Sequence, residues 1–305
     1  MKKFTLIALS FGLITSCSED GVSGFSENLS TTTVMETINS IAFEEDIDDL
    51  VSESMNLISS TTSARSADTA ADKGPKRFKG DKYGDCATVV EDEENNTKTI
   101  TFSEDCEGKR GQVRSGTMIV TYSDTQAEAG SFRQVTYNYF YLNGVKIEGT
   151  RRTEIISIDE SGSKTMRTSM SDGKMIYEDG TFETKNSEMT RYTHVENSEK
   201  QYSSLTGSKS AVSTEGVNFS MEITTPIKFV YNCDDLGFRK RGKIPVEGVK
   251  VSIDGDQTIT TDFGDGNCDT LVEVTKDGEV ETVDLKDLKR GDRFKNILKK
   301  KRNKT

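Results

Sequence analysis

The turn signals between residues 86 and 285 constrain this chain more than any other feature. Thr99-Ile100-Thr101-Phe102 and Thr117-Met118-Ile119-Val120-Thr121-Tyr122 are β-branched and aromatic runs, residue types that suit a pleated surface. Phe132 to Leu142 alternates, which predicts Val135, Tyr137, Tyr139 and Tyr141 on one face. Asn143-Gly144 follows, and Val145-Lys146-Ile147 returns. Asn-Gly between two such runs predicts a tight hairpin, because both central residues must take φ > 0. Asp172-Gly173, Asp179-Gly180 and Asp277-Gly278 repeat the signal. Of 3 prolines only Pro226 and Pro245 fall in this stretch, so long ladders are not interrupted. Consecutive hairpins predict a mainly β chain: an antiparallel meander in a large curved or open sheet, with a β-sandwich as the alternative.

Composition sets the thickness of that sheet. Only 32% of residues are hydrophobic and there is no Trp, so the core is expected to be thin. This favours a wet sheet over a compact α/β enzyme. The stretch 160–215 is the most polar. Thr181-Phe182-Glu183-Thr184-Lys185 and Met189-Thr190-Arg191-Tyr192-Thr193-His194-Val195 alternate but carry few large apolar side chains. It is expected to be the least stable part, or a surface that meets a partner.

Around the β-rich domain, 83–285, the chain divides further. Residues 33–59 place Val34, Ile38, Ile41, Ile47, Leu50, Val51, Met55 and Ile58 near a 3.6-residue period, which predicts an amphipathic N-terminal helix packed on the sheet. The carboxylates of Glu44, Glu45, Asp46, Asp48 and Asp49 then fall mostly on its solvated face. Residues 60–82 lose all pattern and read as a linker. The tail 286–305 holds ten Lys and Arg against Asp287 and Asp292. Such a block reads as a solvated end, or as a contact for anionic lipid phosphates or an acidic partner.

Of 5 cysteines, Cys86, Cys106, Cys233 and Cys268 lie in the β-rich domain. An even number in an exported chain reads as disulfides, and three connectivities are open. Cys86–Cys106 with Cys233–Cys268 is preferred, because each closes a local segment. A zinc site is the alternative, but no C-x-x-C spacing and no nearby His support it.

Cys17 bears on location. Met1-Lys2-Lys3 is a short positive start, Phe4 to Ile14 is mostly apolar, and Ile14-Thr15-Ser16-Cys17 follows. The apolar run is about half of the roughly 20 residues needed to span a bilayer, so a signal peptide over 1–16 is favoured over a membrane helix. Ile14 to Cys17 resembles the bacterial lipobox. That resemblance implies cleavage before Cys17 and lipidation of it, where an ordinary secretory signal is the alternative. The chain is then tethered through 17–32 and anchored to a membrane by N-terminal acyl chains. Ser18, Glu19 and Asp20 resemble the acidic signal that routes lipoproteins of Bacteroidota to the cell surface. The address they imply is the outer membrane, facing outwards. In the linker, Asp68-Thr69-Ala70 resembles the O-glycosylation sequon of that phylum, with Thr69 as acceptor.

A wider resemblance covers 86–285. Cys86-Ala87-Thr88-Val89, Arg114-Ser115-Gly116-Thr117-Met118, Tyr141-Leu142-Asn143-Gly144-Val145 and Asp262-Phe263-Gly264-Asp265-Gly266-Asn267-Cys268 are similar to segments of uncharacterised β-rich lipoproteins of Bacteroidota. The resemblance implies an extracytoplasmic β fold and brings no activity with it.

Function classes narrow accordingly. The formal charge of −11 disfavours nucleic acid. His194 is the single histidine, so a Ser-His-Asp or Cys-His arrangement would have to use it. It sits in an alternating strand, where a sheet-face role is the simpler reading. No phosphate-binding glycine loop or zinc-protease motif is present, and no cofactor is expected. Asp265, Asn267 and Asp269 have the spacing that opens a calcium loop, but Thr270 and Lys276 stand where such a loop needs Gly and Glu. The leading reading is a non-enzymatic surface lipoprotein that binds an unknown surface or envelope partner. Alternatives are a periplasm-facing lipid or lipoprotein carrier, walled by Val135, Tyr137, Tyr139 and Tyr141, and a hydrolase.

Overall fold

The computed structural model describes residues 47, 48, 50–52, 54, 55, 76, 77, 86–108, 112–231, 233 and 244–285. Cys17, Ser18, Glu19, Asp20, Thr69 and the basic tail lie outside the described residues. The chain forms one antiparallel sheet of 14 strands, ordered strictly by sequence. The first strands are β1 (Lys76–Arg77), β2 (Ala87–Asp92), β3 (Thr97–Glu107), β4 (Val113–Tyr122), β5 (Phe132–Leu142) and β6 (Val145–Ile158). The central ones are β7 (Lys164–Ile176), β8 (Phe182–Glu196), β9 (Glu199–Ser213) and β10 (Asn218–Val230). The last are β11 (Ile244–Asp254), β12 (Gln257–Asp265), β13 (Leu271–Lys276) and β14 (Glu279–Asp284). Every strand pairs only with its neighbours in sequence, so the sheet is an open meander and not a sandwich.

The turns follow their chemistry, with one exception. Asn143 (φ 51°) and Gly144 (φ 83°) close β5–β6, and Asp277 (52°) and Gly278 (84°) close β13–β14, as hairpin turns with both residues left-handed. Asp179-Gly180 lies in the β7–β8 turn, where the Gly180 N–H donates to the Tyr177 carbonyl at 3.0 Å. Asp172-Gly173 is not a turn. It lies inside β7, where the register with β8 shifts between Met170 and Gly173. A left-handed Asp172 followed by Gly also suits a bulge, and here the strand continues on both sides.

Bulges break the alternation elsewhere too. Between Thr136 and Phe140 the β5 register shifts against β6. Val135 and Phe140 are therefore both buried, while Tyr139 is 71% exposed. The four residues expected on one face do not share one. Such bulges recur at Phe102–Cys106, Ser115–Thr117 and Glu148–Thr150. They resume at Ile223–Ile227 and Glu247–Val249. Between these two groups, β8 and β9 pair without a break from Glu183 to His194.

Two apolar clusters hold the ends of the sheet. The first joins β2–β6 with the helical residues Ile47, Leu50 and Val51. The second joins β9, β10 and β12–β14 through Ile227, Phe229, Phe263, Val272 and Val274. Directly opposed residues in an antiparallel pair share a face. The row Val120, Val135, Arg151, Met170, Ser187, Lys209, Met221, Ser252, Ile259 is opposed pair by pair. Both clusters therefore lie on the same face, separated by a polar belt at Ser187 and Lys209. Among the described residues between Ile147 and Ile223, Leu205 is the one apolar side chain buried in a core.

Polar anchors fasten the helical segment to this face. Asp48 does not simply face solvent: it accepts from the buried Arg151 at 2.8 Å. Arg133 Nη1 donates to Ser52 Oγ at 2.9 Å, and burial pulls this guanidinium below its ordinary pKa. Lys98, 2% exposed, donates to the Ser54 and Met55 carbonyls at 3.1 and 3.3 Å and lies 3.4 Å from Glu91. Glu91 in turn accepts from the Tyr122 hydroxyl at 2.8 Å. Burial, then this bond to Glu91, raises the Tyr122 phenol well above its usual range.

Two disulfides complete the fold, Cys86–Cys106 and Cys233–Cys268, the preferred pairing. They act differently. Cys86–Cys106 staples the open end of the β2–β3 hairpin, where the Ser103 N–H also donates to the Cys86 carbonyl at 3.0 Å. Cys233–Cys268 ties the segment after β10 to the β12–β13 connection, across β11. Their sequence separations of 20 and 35 residues correspond to about 3.3 and about 3.8 kcal/mol of chain entropy respectively, a difference of about 0.5 kcal/mol. Replacing both Cys233 and Cys268 by Ser is thus expected to lower the urea midpoint more than replacing Cys86 and Cys106, and equal midpoints would contradict the chain-entropy account.

Candidate functional site

The face opposite the two clusters is open and polar, and it is most regular over β8 and β9. Alternation puts Thr184, Asn186, Glu188, Thr190, Tyr192 and His194 of β8 on this face. Their direct partners on β9 are Val212, Ser210, Ser208, Thr206, Ser204 and Tyr202. Asn186, Glu188, Ser208 and Ser210 are exposed, whereas Thr193, Ser203 and Leu205, one residue out of step, are buried. The difference in burial identifies the two faces independently of the register.

At one end of this face three rings meet. His194 and Tyr202 are directly opposed, with centroids 5.0 Å apart, and Tyr192 lies 6.4 Å from His194 and 6.1 Å from Tyr202. The Tyr192 hydroxyl is 3.4 Å from His194 Nδ1. Lys228 of β10 stands 5.3 Å above the Tyr202 ring and 3.7 Å from Glu247 of β11. All three rings are partly exposed.

Further along the strands the surface sinks into an open groove of about 560 Å³. Ser169, Asn186, Glu188, Ser208 and Glu222 are among the residues that line it, together with Lys209. A smaller hollow adjoins it at Arg152, Glu154 and Arg167. Glu154 lies 3.6 Å from Arg152 and 3.5 Å from Arg167, which leaves Glu188 and Glu222 as the acidic members of the groove. Arg152 also stacks over the Phe132 ring at 3.7 Å.

The other sequence candidates fall elsewhere. Asp265 accepts from the Asn267 side chain at 2.7 Å, and Asp269 accepts from the Leu271 N–H at 3.0 Å. These carboxylates brace the turn beside Cys268. Among the described residues no group of three or more His, Cys, Asp and Glu is placed to hold a metal ion. No helix among them is long and apolar enough to cross a membrane. His194 was singled out from the sequence, but its partner Tyr202 and the Lys228 that stands over Tyr202 were not. The signal was Asn197-Ser198, whose left-handed φ values of 51° and 64° form the tight turn, after which a register shift between His194 and Val195 sets Tyr202, and not Gln201, opposite His194. Ser in that conformation is uncommon, so the turn is easily missed.

No protein family, no curated protein and no solved structure matches this chain.

Proposed function

We propose that this chain is a lipid-anchored envelope protein that works by binding, without catalysing a reaction, through the open face of β7–β11. The unbroken β8–β9 ladder carries this reading. It holds hydroxyl, amide and ring groups in a fixed array, while the opposite face is used for the cores. The single histidine contacts two tyrosines there, an arrangement that supports a ring surface more than a nucleophile with its base. Two disulfides agree with an oxidising compartment. The lipobox-like Ile14 to Cys17 supports an N-terminal acyl anchor, and Ser18, Glu19 and Asp20 support display at the outer surface of the outer membrane.

The carrier reading has less support. Its proposed wall is divided, because Val135 is sealed in the first cluster while Tyr139 points into solvent.

One variant series tests anchor and face together. Cys17→Ser is expected to move the protein from the detergent phase to the aqueous phase. In that soluble form it is expected to bind isolated cell envelopes, and Ser208→Arg on the open face to abolish the binding. Retention of Cys17→Ser in the detergent phase would refute the anchor. Envelope binding unaffected by Ser208→Arg would refute the face.

A further inference from the structure

We propose that the open face takes a neutral, hydroxyl-rich glycan chain, stacked on Tyr192, His194 and Tyr202 and continuing into the groove at Glu188 and Ser208. This rests on the reading of the open face as a binding surface and specifies its ligand.

The backbone excludes one common mode. In β7–β11 each strand is paired on both sides, so main-chain donors and acceptors are already used. A peptide cannot be added there as another strand. Only side chains are on offer, and two kinds among them suit a sugar. The rings present faces that carry partial negative charge. The flat C–H face of a pyranose carries the complementary partial positive charge. Around them Thr190, Thr206, Ser204, Ser208 and Ser210 present hydroxyls, suited to a ligand that donates and accepts at many positions.

Charge selects among hydroxyl-rich polymers. Lys228 is matched by Glu247, and Glu154 is shared by Arg152 and Arg167. In the groove itself Glu188 and Glu222 stand against Lys209. The groove thus lacks the net positive charge that nucleic acid and polyanionic glycans need. A neutral glycan meets carboxylates that accept from its hydroxyls.

Spacing selects length. Glu188 and Tyr192 are four residues apart on one strand, about 13 Å. A single sugar ring cannot reach from the ring patch to the groove, so affinity is expected to rise with the number of units. A bulge-free ladder also repeats its side chains at constant intervals, which matches a polymer of identical units.

The test uses the full chain carrying Cys17→Ser in native affinity gels. The probes are the neutral polysaccharides glycogen, laminarin, mannan and xylan, with alginate as the anionic control. At least one neutral polymer is expected to retard the protein, and alginate is not. Tyr202→Ala is expected to weaken retardation about tenfold, and Tyr202→Phe, which keeps the ring, to preserve it. An unchanged urea midpoint for Tyr202→Ala separates lost stacking from lost folding. Lys276→Ala, beside the β13–β14 turn and away from both the ring patch and the groove, should bind as the parent does. Retardation by no neutral polymer, preference for alginate, or indifference to Tyr202→Ala in a folded protein would overturn the inference. Envelope binding that is lost in Ser208→Arg, alongside failure of every neutral polymer, would reject the glycan and keep the binding face. Failure of envelopes as well would reject both.

Discussion

Lys98→Met is expected to destabilise the protein by roughly 3 kcal/mol, the cost of leaving one side of a buried ion pair without its partner. Lys98 is almost completely buried and serves three acceptors at once: Glu91 and the Ser54 and Met55 carbonyls. The two carbonyls belong to the helical segment over the first cluster, so the ammonium binds that segment to β3. Met fills a similar volume, which limits any cavity contribution and leaves the lost polar contacts as the main cost. Glu91 keeps the Tyr122 hydroxyl but loses its positive neighbour. A double-mutant cycle with Glu91→Gln identifies the mechanism. Coupling in the urea midpoints assigns the loss to the ion pair. Additive losses would assign it to the helix carbonyls, and a midpoint unchanged in Lys98→Met would contradict the whole account.

Gly116→Ala is expected to be at least as damaging, and Gly130→Ala much milder, although both glycines have nearly the same backbone. Their φ values are +88° and +89°. Any L side chain is strained in that region, at about 1 kcal/mol. The surroundings differ. A Cβ on Gly116 would overlap the Tyr139 carbonyl and crowd the Phe140 Cα, where the β4 and β5 bulges meet. A Cβ on Gly130 would have nothing within 4 Å. Overpacking adds roughly 1–3 kcal/mol, and backbone atoms held in a ladder yield less than a flexible side chain. The difference between the two unfolding free energies isolates the steric part. Equal losses would mean that β5 shifts freely at its bulge.

Much of this architecture was legible in the sequence. Asn143-Gly144 and Asp277-Gly278 announced hairpins because few other dipeptides tolerate two left-handed residues in succession. The cysteine pairing followed from locality, and the apolar spacing at Ile47, Leu50 and Val51 agrees with the helical residues seen packed on the sheet. The bulges were not legible. A bulge adds one residue and reverses the in-out order beyond it, so simple alternation carried Tyr139 to the side that Phe140 occupies. Asp172-Gly173 is the same difficulty in another form, since a left-handed pair serves a turn or a bulge equally well. The ring patch was out of reach because it depends on register across three strands. His194, Tyr202 and Lys228 come together only when the β8–β9 turn, the bulge between His194 and Val195 and the β9–β10 pairing are all known.

The strictly sequential strand order has a consequence for how such a molecule can change size. Each central strand pairs only with its neighbours in sequence, and the first apolar cluster stops at β6 while the second starts with Met189 of β8 and Leu205 of β9. Duplicating a β8–β9 unit would lengthen the sheet by about 10 Å, two strand spacings, and would leave both ends intact. Deleting the existing unit would instead remove Leu205 from the second cluster. The centre is a ruler whose gradations are hairpins, and it can be extended without redesigning a core.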